Sequence, residues 1–333
     1  MGYQLAVNVD WQGNLDRERA FQRVRAADEA GVHSVWVAEA WGRDAFTMMT
    51  QLVERTSRIQ VGSGIVNVFS RSPAALAQHF ATLDELSGGR MIIGLGTSGA
   101  NVIEHFHGVP FQKPLRRLRE YVEIINLLMA GTPLKYEGEI FHLQRGFTLR
   151  FETVRKHIPV YLATLSPRSV RQTAEIADGW LPIWTPVGDL PKLVQGFRDA
   201  AAKAGRNPAD LVVRSPGTIV ITKDVERARA GVAGGFAFYV ARMGVFYYEH
   251  VTRLGYGELA DRIRQAWEEG GSRAGAAAVP GDLQQALGLV TDSVEAARER
   301  LAEQAAAGVD LHSVQVDAED PHELQRIYER LVA

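Results

Sequence analysis

No cysteine occurs in the 333 residues, which excludes disulfides, thiolate nucleophiles and any zinc or iron–sulfur site built on sulfur. Excess charge is missing too. Lys and Arg number 37 against 39 Asp and Glu, a net charge of −2, so no long-range field draws the chain to nucleic acid or to an anionic membrane. No apolar run approaches the roughly 18 residues that a membrane-spanning helix needs. The opening segment, MGYQLAVNVDWQG, has no basic stretch ahead of an apolar core and does not read as a secretory signal. Internal repeats and low-complexity tails are lacking as well. These absences predict a cytoplasmic protein that acts on a small molecule, with no metal site and no nucleic-acid or membrane partner.

What is present alternates. Short apolar runs at 3–9, 34–39, 58–67, 90–97, 158–164, 180–184, 211–222 and 312–318 are separated by amphipathic stretches of helical period. Helix signals are explicit: Asp16 and Ser72 stand at N-cap positions, Pro73 follows at the first turn, and Gly31 closes a helix. Near-continuous apolar strands alternating with helices describe a parallel sheet covered on both faces. Eight such units over this length predict an α/β fold, a (β/α)8 TIM barrel with insertions, forming a single domain over 1–333. Two segments interrupt the alternation. LKYEGEIFHL (134–143) reads as a hairpin, and 225–290 as a helical insertion whose Ala/Gly-rich part, 270–282, reads as a mobile loop.

In such a barrel, chemistry sits at the C-terminal ends of the strands. That directs attention to Asn8–Trp11, Glu39–Asp44, Asn67–Arg71, Thr97–Asn101, Ala163–Arg168 and Leu181–Trp184. The stretch VGSGIVNVFSR (61–71) puts Gly62 and Gly64 inside an apolar strand, the mark of a bulge or of a close approach by backbone or ligand. GLGTSG (94–99) matches a dinucleotide fingerprint, but about twenty residues on the chain has helical period where an acidic strand end is required, so a Rossmann dehydrogenase is set aside. The same loop offers Thr97 and Ser98 hydroxyls and backbone N–H groups to an anion or a flavin-like ring. TLSPRSVRQ (164–172) is a second anion-site candidate, with Ser166 as helix cap and Arg168 and Arg171 beside it. Either alone reads as an ordinary cap; two at neighbouring strand ends point to a phosphorylated ligand. His105 and His107 have no carboxylate at ligand spacing and read as loop histidines. Glu39 and Asp44 flank Trp41, either as solvated acids paired with Arg43 or as a carboxylate and an indole at a pocket mouth. The aromatic run 235–250 reads as helix core ahead of a substrate cage.

The segments SVWVAEAWGRDAF, RIQVGSGIVNVFSR, TLDELSGGR, YEGEIFHL and AEIADGW together resemble the luciferase-like flavin oxidoreductase family, over about residues 3 to 200. GSGIVN resembles the branch dependent on coenzyme F-420 (F420), similar to methylenetetrahydromethanopterin reductase. The resemblance implies a hydride-transferring oxidoreductase, with FMN and a luciferase-like monooxygenase, or a non-catalytic flavin binder, as the alternatives. It implies a cis Gly64–Ile65 peptide in a bulge that backs the deazaflavin, with Asn67 on the ring or its ribityl chain. Glu39 would contact the ring and share the catalytic mouth with Trp41. Thr97, Ser98 and Gly99 would line the cofactor, and Ala163, Thr164, Ser166 and Arg168 would hold its phosphate. Several members of the family carry a histidine where Ala40 stands, and sugar-oxidising ones also carry an acid near Gly99. Their absence favours an activated double bond or imine, with a proton from solvent or from Glu39. A homodimer through 44–53 and 72–86 is also implied.

Overall fold

The computed structural model describes residues 2–9 and 13–333. Eight parallel strands form the barrel: Gln4–Val9, Ser34–Val37, Gln60–Ser63, Met91–Gly96, Val160–Ala163, Gly179–Trp180, Val212–Val213 and Leu311–Val316. The first seven pair in sequence order, each with the next, and the eighth pairs with the first at Gln4↔Leu311. A bridge between Arg214 and Leu311 closes the ring between the seventh and eighth strands. The seventh strand then bulges and resumes as Ile219–Ile221, which carries Val290–Thr291 on its outer side. The fourth strand is buried at all six positions, as a strand covered on both faces must be.

Inside the barrel, Ala6, Trp36, Ile92, Tyr161, Leu181 and Leu311 make one apolar layer. Trp36 satisfies its indole N–H on the Ser34 hydroxyl at 2.8 Å. Outside, the helices cap where the sequence signals them. Asp16 accepts from Arg19 N at 3.1 Å, Ser72 from Ala75 N at 3.1 Å, and Asp44 from Thr47 N at 2.7 Å. The hairpin forms antiparallel over Leu134–Glu137 and His142–Phe147. Its turn hangs on Glu120, whose buried carboxylate accepts from the backbone N–H groups of Glu139, Ile140 and Phe141 and from Arg116.

Two expectations are corrected. The run 180–184 is a strand only to Trp180, since Pro182 has no N–H to give a ladder. The stretch 270–282 is mostly helical: Gly257–Ala277 continues past a single break at Gly271 (φ 69°) and is followed by Gly281–Leu287. Alanine is the strongest helix former, and Gly275 packs under Trp267, where a Cβ would lie 2.6 Å from the indole. On 44–53 and 72–86, Phe46, Met49, Leu52, Leu76 and Phe80 are buried within the chain, while Leu86 stays exposed. No described helix is long and apolar enough to cross a membrane.

Candidate active site

The mouth of the barrel is built around the end of the third strand. After Ser63 the chain bulges through a cis Gly64–Ile65 peptide and pairs again with the fourth strand at Val66–Asn67. The bulge is tied to the second strand by Gly64 N donating to Val37 O (2.7 Å) and Glu39 N donating to Ile65 O (3.3 Å). Ile65 lies over Gly96, where a Cβ would meet the isoleucine at 3.1 Å and Ala163 at 3.4 Å. The two glycines do different work. A Cβ at Gly62 would lie 2.8 Å from the Trp36 ring, so that glycine admits a neighbouring indole and not a ligand. Gly64 faces Trp36 and the Arg214 guanidinium, at 3.4 and 3.5 Å from its notional Cβ.

Glu39 stands 8% exposed beside this shelf, and its carboxylate is fully engaged. Arg71 Nη1 donates to Oε1 at 2.6 Å, Nη2 to Oε2 at 3.1 Å, and Ala45 N at the next helix start donates to Oε2 at 3.0 Å. Asp44 takes the same guanidinium at 2.5 Å. The partner of these acids is therefore Arg71; Arg43 instead donates to Gly13 O at 2.6 Å. Burial works to raise the Asp44 pKa, but the Thr47 hydrogen bonds and Arg71 together hold it below the usual carboxylate range. Both Glu39 oxygens are thus taken up in ordering the mouth. Trp41 lies 43% exposed at the rim, its ring 6.3 Å from that of Phe238.

Asn67 is also committed. Its Oδ1 accepts from Phe69 N (3.0 Å) and Ser70 N (2.8 Å), an Asx turn that carries the chain away from the strand. Its Nδ2 meets His107 Nε2 at 3.3 Å, so His107 is part of the mouth while His105 is exposed. Thr97 donates to Ser98 O at 3.1 Å, Ser98 takes a left-handed φ of 56°, and Gly99 starts the helix Ala100–His105.

At the fifth strand, Thr164 shares a hydrogen bond with Thr173, and Ser166 forms a reciprocal capping box with Ser169. Arg168 is exposed. From this loop a cavity of about 820 Å3 runs outside the barrel over Pro167, Trp180 and Phe197. Arg171, Lys192 and Lys203 line it with no ion pair among the described residues. Its three acids are already engaged: Glu175 by Arg119, Asp199 by Gln195 and Asp189 by Tyr256.

The insertion roofs the mouth. Trp184, after the sixth strand, packs on Phe236 (5.7 Å) and Tyr239 (5.4 Å), and Asn101 donates to Arg242 O at 3.4 Å. The Trp184 indole N–H is buried with no partner among the described residues. In the aromatic run Phe236 is core, as expected, while Phe238 and Tyr239 pack on the rim residues Trp41 and Trp184. Sequence reasoning missed two residues here. Arg71 ends a segment already under scrutiny, and Arg214 is a lone charge inside the apolar run LVVRSPGTIVIT. That isolated charge was the available signal.

A family model described as luciferase-like monooxygenase matches residues 7–311. The chain belongs to this family. Among luciferase-like relatives, a putative coenzyme F420-dependent oxidoreductase of Mycobacterium tuberculosis is 33% identical over 327 residues, covering 92% of this chain and 93% of that one. A 5,10-methylenetetrahydromethanopterin reductase of Archaeoglobus fulgidus is 32% identical over 219 residues, 66% of this chain and 65% of its own. The structure of the coenzyme F420-dependent tetrahydromethanopterin reductase of Methanopyrus kandleri aligns with a TM-score of 0.82 at 22% identity, covering 100% of this chain and 99% of that one. That likeness establishes the luciferase-like barrel.

The segments that carry the family resemblance most plainly lie at the far end of the barrel. In TLDELSGGR, the buried Asp84 accepts from Met91 N at 3.2 Å and from the Arg155 guanidinium. Arg90 donates to the carbonyls of Val53, Ile59 and Ser87. In AEIADGW, Asp178 accepts from Val160 N and from His157, each at 2.8 Å. These residues stabilise strand starts, the expected role at that face. The Asp178 hydrogen bond raises the His157 pKa above its ordinary 6.5. A raised folded value means that the pair adds stability fully below the unfolded pKa and loses it as pH climbs through the folded one. Relative to His157→Gln, the parent should gain on the order of 0.5 kcal/mol near pH 5.5 in this half-exposed pair, and nothing near pH 9. Urea unfolding at the two pH values measures it; an equal difference at both removes the assignment.

Proposed function

We propose that the chain is an F420-dependent oxidoreductase that transfers a hydride between the deazaflavin and a small organic substrate carrying an activated double bond or imine. The observation that carries this reading is the Ile65 shelf at the barrel mouth, one strand away from the Ser166 anion loop through the Gly96↔Ala163 pairing. A planar ring on an aliphatic shelf and a phosphate at a capped helix start match that spacing of surfaces. The unpaired Arg171, Lys192 and Lys203 beyond the loop suit the anionic side chain of the same cofactor. The names of the mycobacterial relative and the Methanopyrus enzyme support F420 over FMN.

Bound F420 supplies two-electron hydride chemistry. This chain's residues supply the rest. Ile65, Gly96 and Ala163 orient the ring; Thr97, Ser98 and Gly99 edge it; Ser166 and Arg168 hold the phosphate. Glu39, clamped by Arg71, fixes the loop that bears Trp41, and Trp41 with Phe238 keeps water from the reacting face. With Glu39 so engaged, solvent provides the proton. Association into a homodimer is part of the same proposal.

Titration of the purified protein with F420 and with FMN tests the cofactor. F420 should bind at least tenfold more tightly, and the reverse order would favour the monooxygenase alternative. Ser166→Glu should weaken F420 binding about a hundredfold, because it sets like charge against the phosphate and alters the cap. A phosphate-free deazaflavin fragment should bind the variant and the parent alike. Unchanged F420 affinity in a folded variant would place the phosphate elsewhere.

A further inference from the structure

The seventh strand sends one charged side chain to the mouth of the barrel, and among the described residues no carboxylate pairs with it. Arg214 Nε donates to the Ser313 hydroxyl at 3.0 Å and Nη2 to Asn8 Oδ1 at 2.7 Å. The guanidinium lies over Trp36, its Cζ 4.7 Å from the ring centroid. Three contacts from the first, second and eighth strands thus fix its position and orientation. None is a carboxylate, and among the described residues Nη1 has no hydrogen-bond partner. Burial pushes the Arg214 pKa down to about 10, which still leaves the group charged at neutral pH. A side chain at position 64 would crowd Nη1, since the notional Cβ of Gly64 lies only 3.5 Å from it. Glycine therefore keeps the space beside the free N–H open.

A half-buried guanidinium without a counter-charge is incompletely solvated, and an anion that reaches it gains a charge-assisted hydrogen bond. Arginine presents a planar fork suited to a planar oxyanion, and two of its corners are already fastened, so little freedom is lost when the third is used. We propose that Arg214 is the anion-recognition residue of the substrate pocket and that the substrate carries a carboxylate. This deepens the oxidoreductase reading and rests on it for the place of the reacting face. The negatively polarised oxygens of the deazaflavin ring share the same chemistry, and the test separates the two sources.

Acetate, crotonate and benzoate are titrated by calorimetry into the F420-loaded protein, each against its neutral amide. At least one acid should bind tenfold or more tightly than its amide. The preference should vanish in Arg214→Gln, while F420 affinity stays within threefold of the parent. Absence of any acid preference in the parent, or its survival in Arg214→Gln, would overturn the proposal. A tenfold loss of F420 affinity with the acid preference intact would also overturn it, by assigning Arg214 to the ring. Should Arg214→Gln fail to fold, Arg214→Lys keeps the charge without the fork, and the preference should fall at least threefold; no fall overturns the proposal. If the parent does not bind F420 at all, the cofactor reading has failed, and the acid–amide comparison on the protein alone still decides the role of Arg214.

Discussion

Gly94→Ala should destabilise the protein by about 4 kcal/mol or more, enough to leave little soluble material. A Cβ at this position would lie 1.7 Å from the Ser63 carbonyl oxygen and 2.8 Å from its carbon, backbone atoms that cannot rotate aside. The strands would have to part. Their separation would break two reciprocal bonds, Ser63 Oγ to Gly94 O at 2.8 Å and Gly94 N to Ser63 Oγ at 2.9 Å. The bulge begins at the next residue, so what protein folds should also bind F420 poorly. Gly188→Ala is the matched control, since nothing lies within 4 Å of its notional Cβ. Urea unfolding of both variants decides the matter; a Gly94→Ala loss below about 1 kcal/mol would mean that the strand spacing is softer than described.

Arg71→Met should cost about 3 kcal/mol, because it strands the Glu39 carboxylate, whose side chain is 8% exposed, with Ala45 N as its remaining donor. Asp44, 44% exposed, can turn to water and should contribute little to the loss. Adding Glu39→Gln removes the stranded charge, so the double variant should recover at least half of what the single one lost. F420 affinity should fall in Arg71→Met, since the loop that bears Trp41 is held by this clamp. Strictly additive losses in the double-variant cycle would show that the pair is not coupled.

The barrel was legible in the sequence where a property is local. Asp16, Ser72 and Ser166 announce helix starts through their own backbone contacts, and fully apolar strands announce burial on both faces. The bulge was legible because glycines disturb an apolar run. Their separate purposes were not, since Gly62 answers to Trp36, twenty-six positions earlier and on the adjoining strand. Glu39 reads as a candidate acid only while Arg71 is out of view, and their pairing spans thirty-two residues. Alanine and glycine in 270–282 look like loop until Trp267 is found above Gly275. Arg214 shows the general difficulty. A single charge in an apolar strand is visible in one dimension, but its free N–H and fastened corners depend on three other strands.

The roof helices between 225 and 287 enclose an apolar cluster of their own, from Ala233 and Phe236 to Leu283 and Leu287, separate from the one that joins the barrel to its outer helices. They meet the rim through a few aromatic and polar contacts, Trp41 to Phe238 and Thr185 to His250 among them. A unit with its own interior can open as one foldon while the strands beneath stay paired. Residues facing the mouth from above can therefore drift in identity without taxing the cooperative unfolding of the barrel. Evolution can in this way vary what the enzyme admits and leave untouched the scaffold on which the reaction takes place.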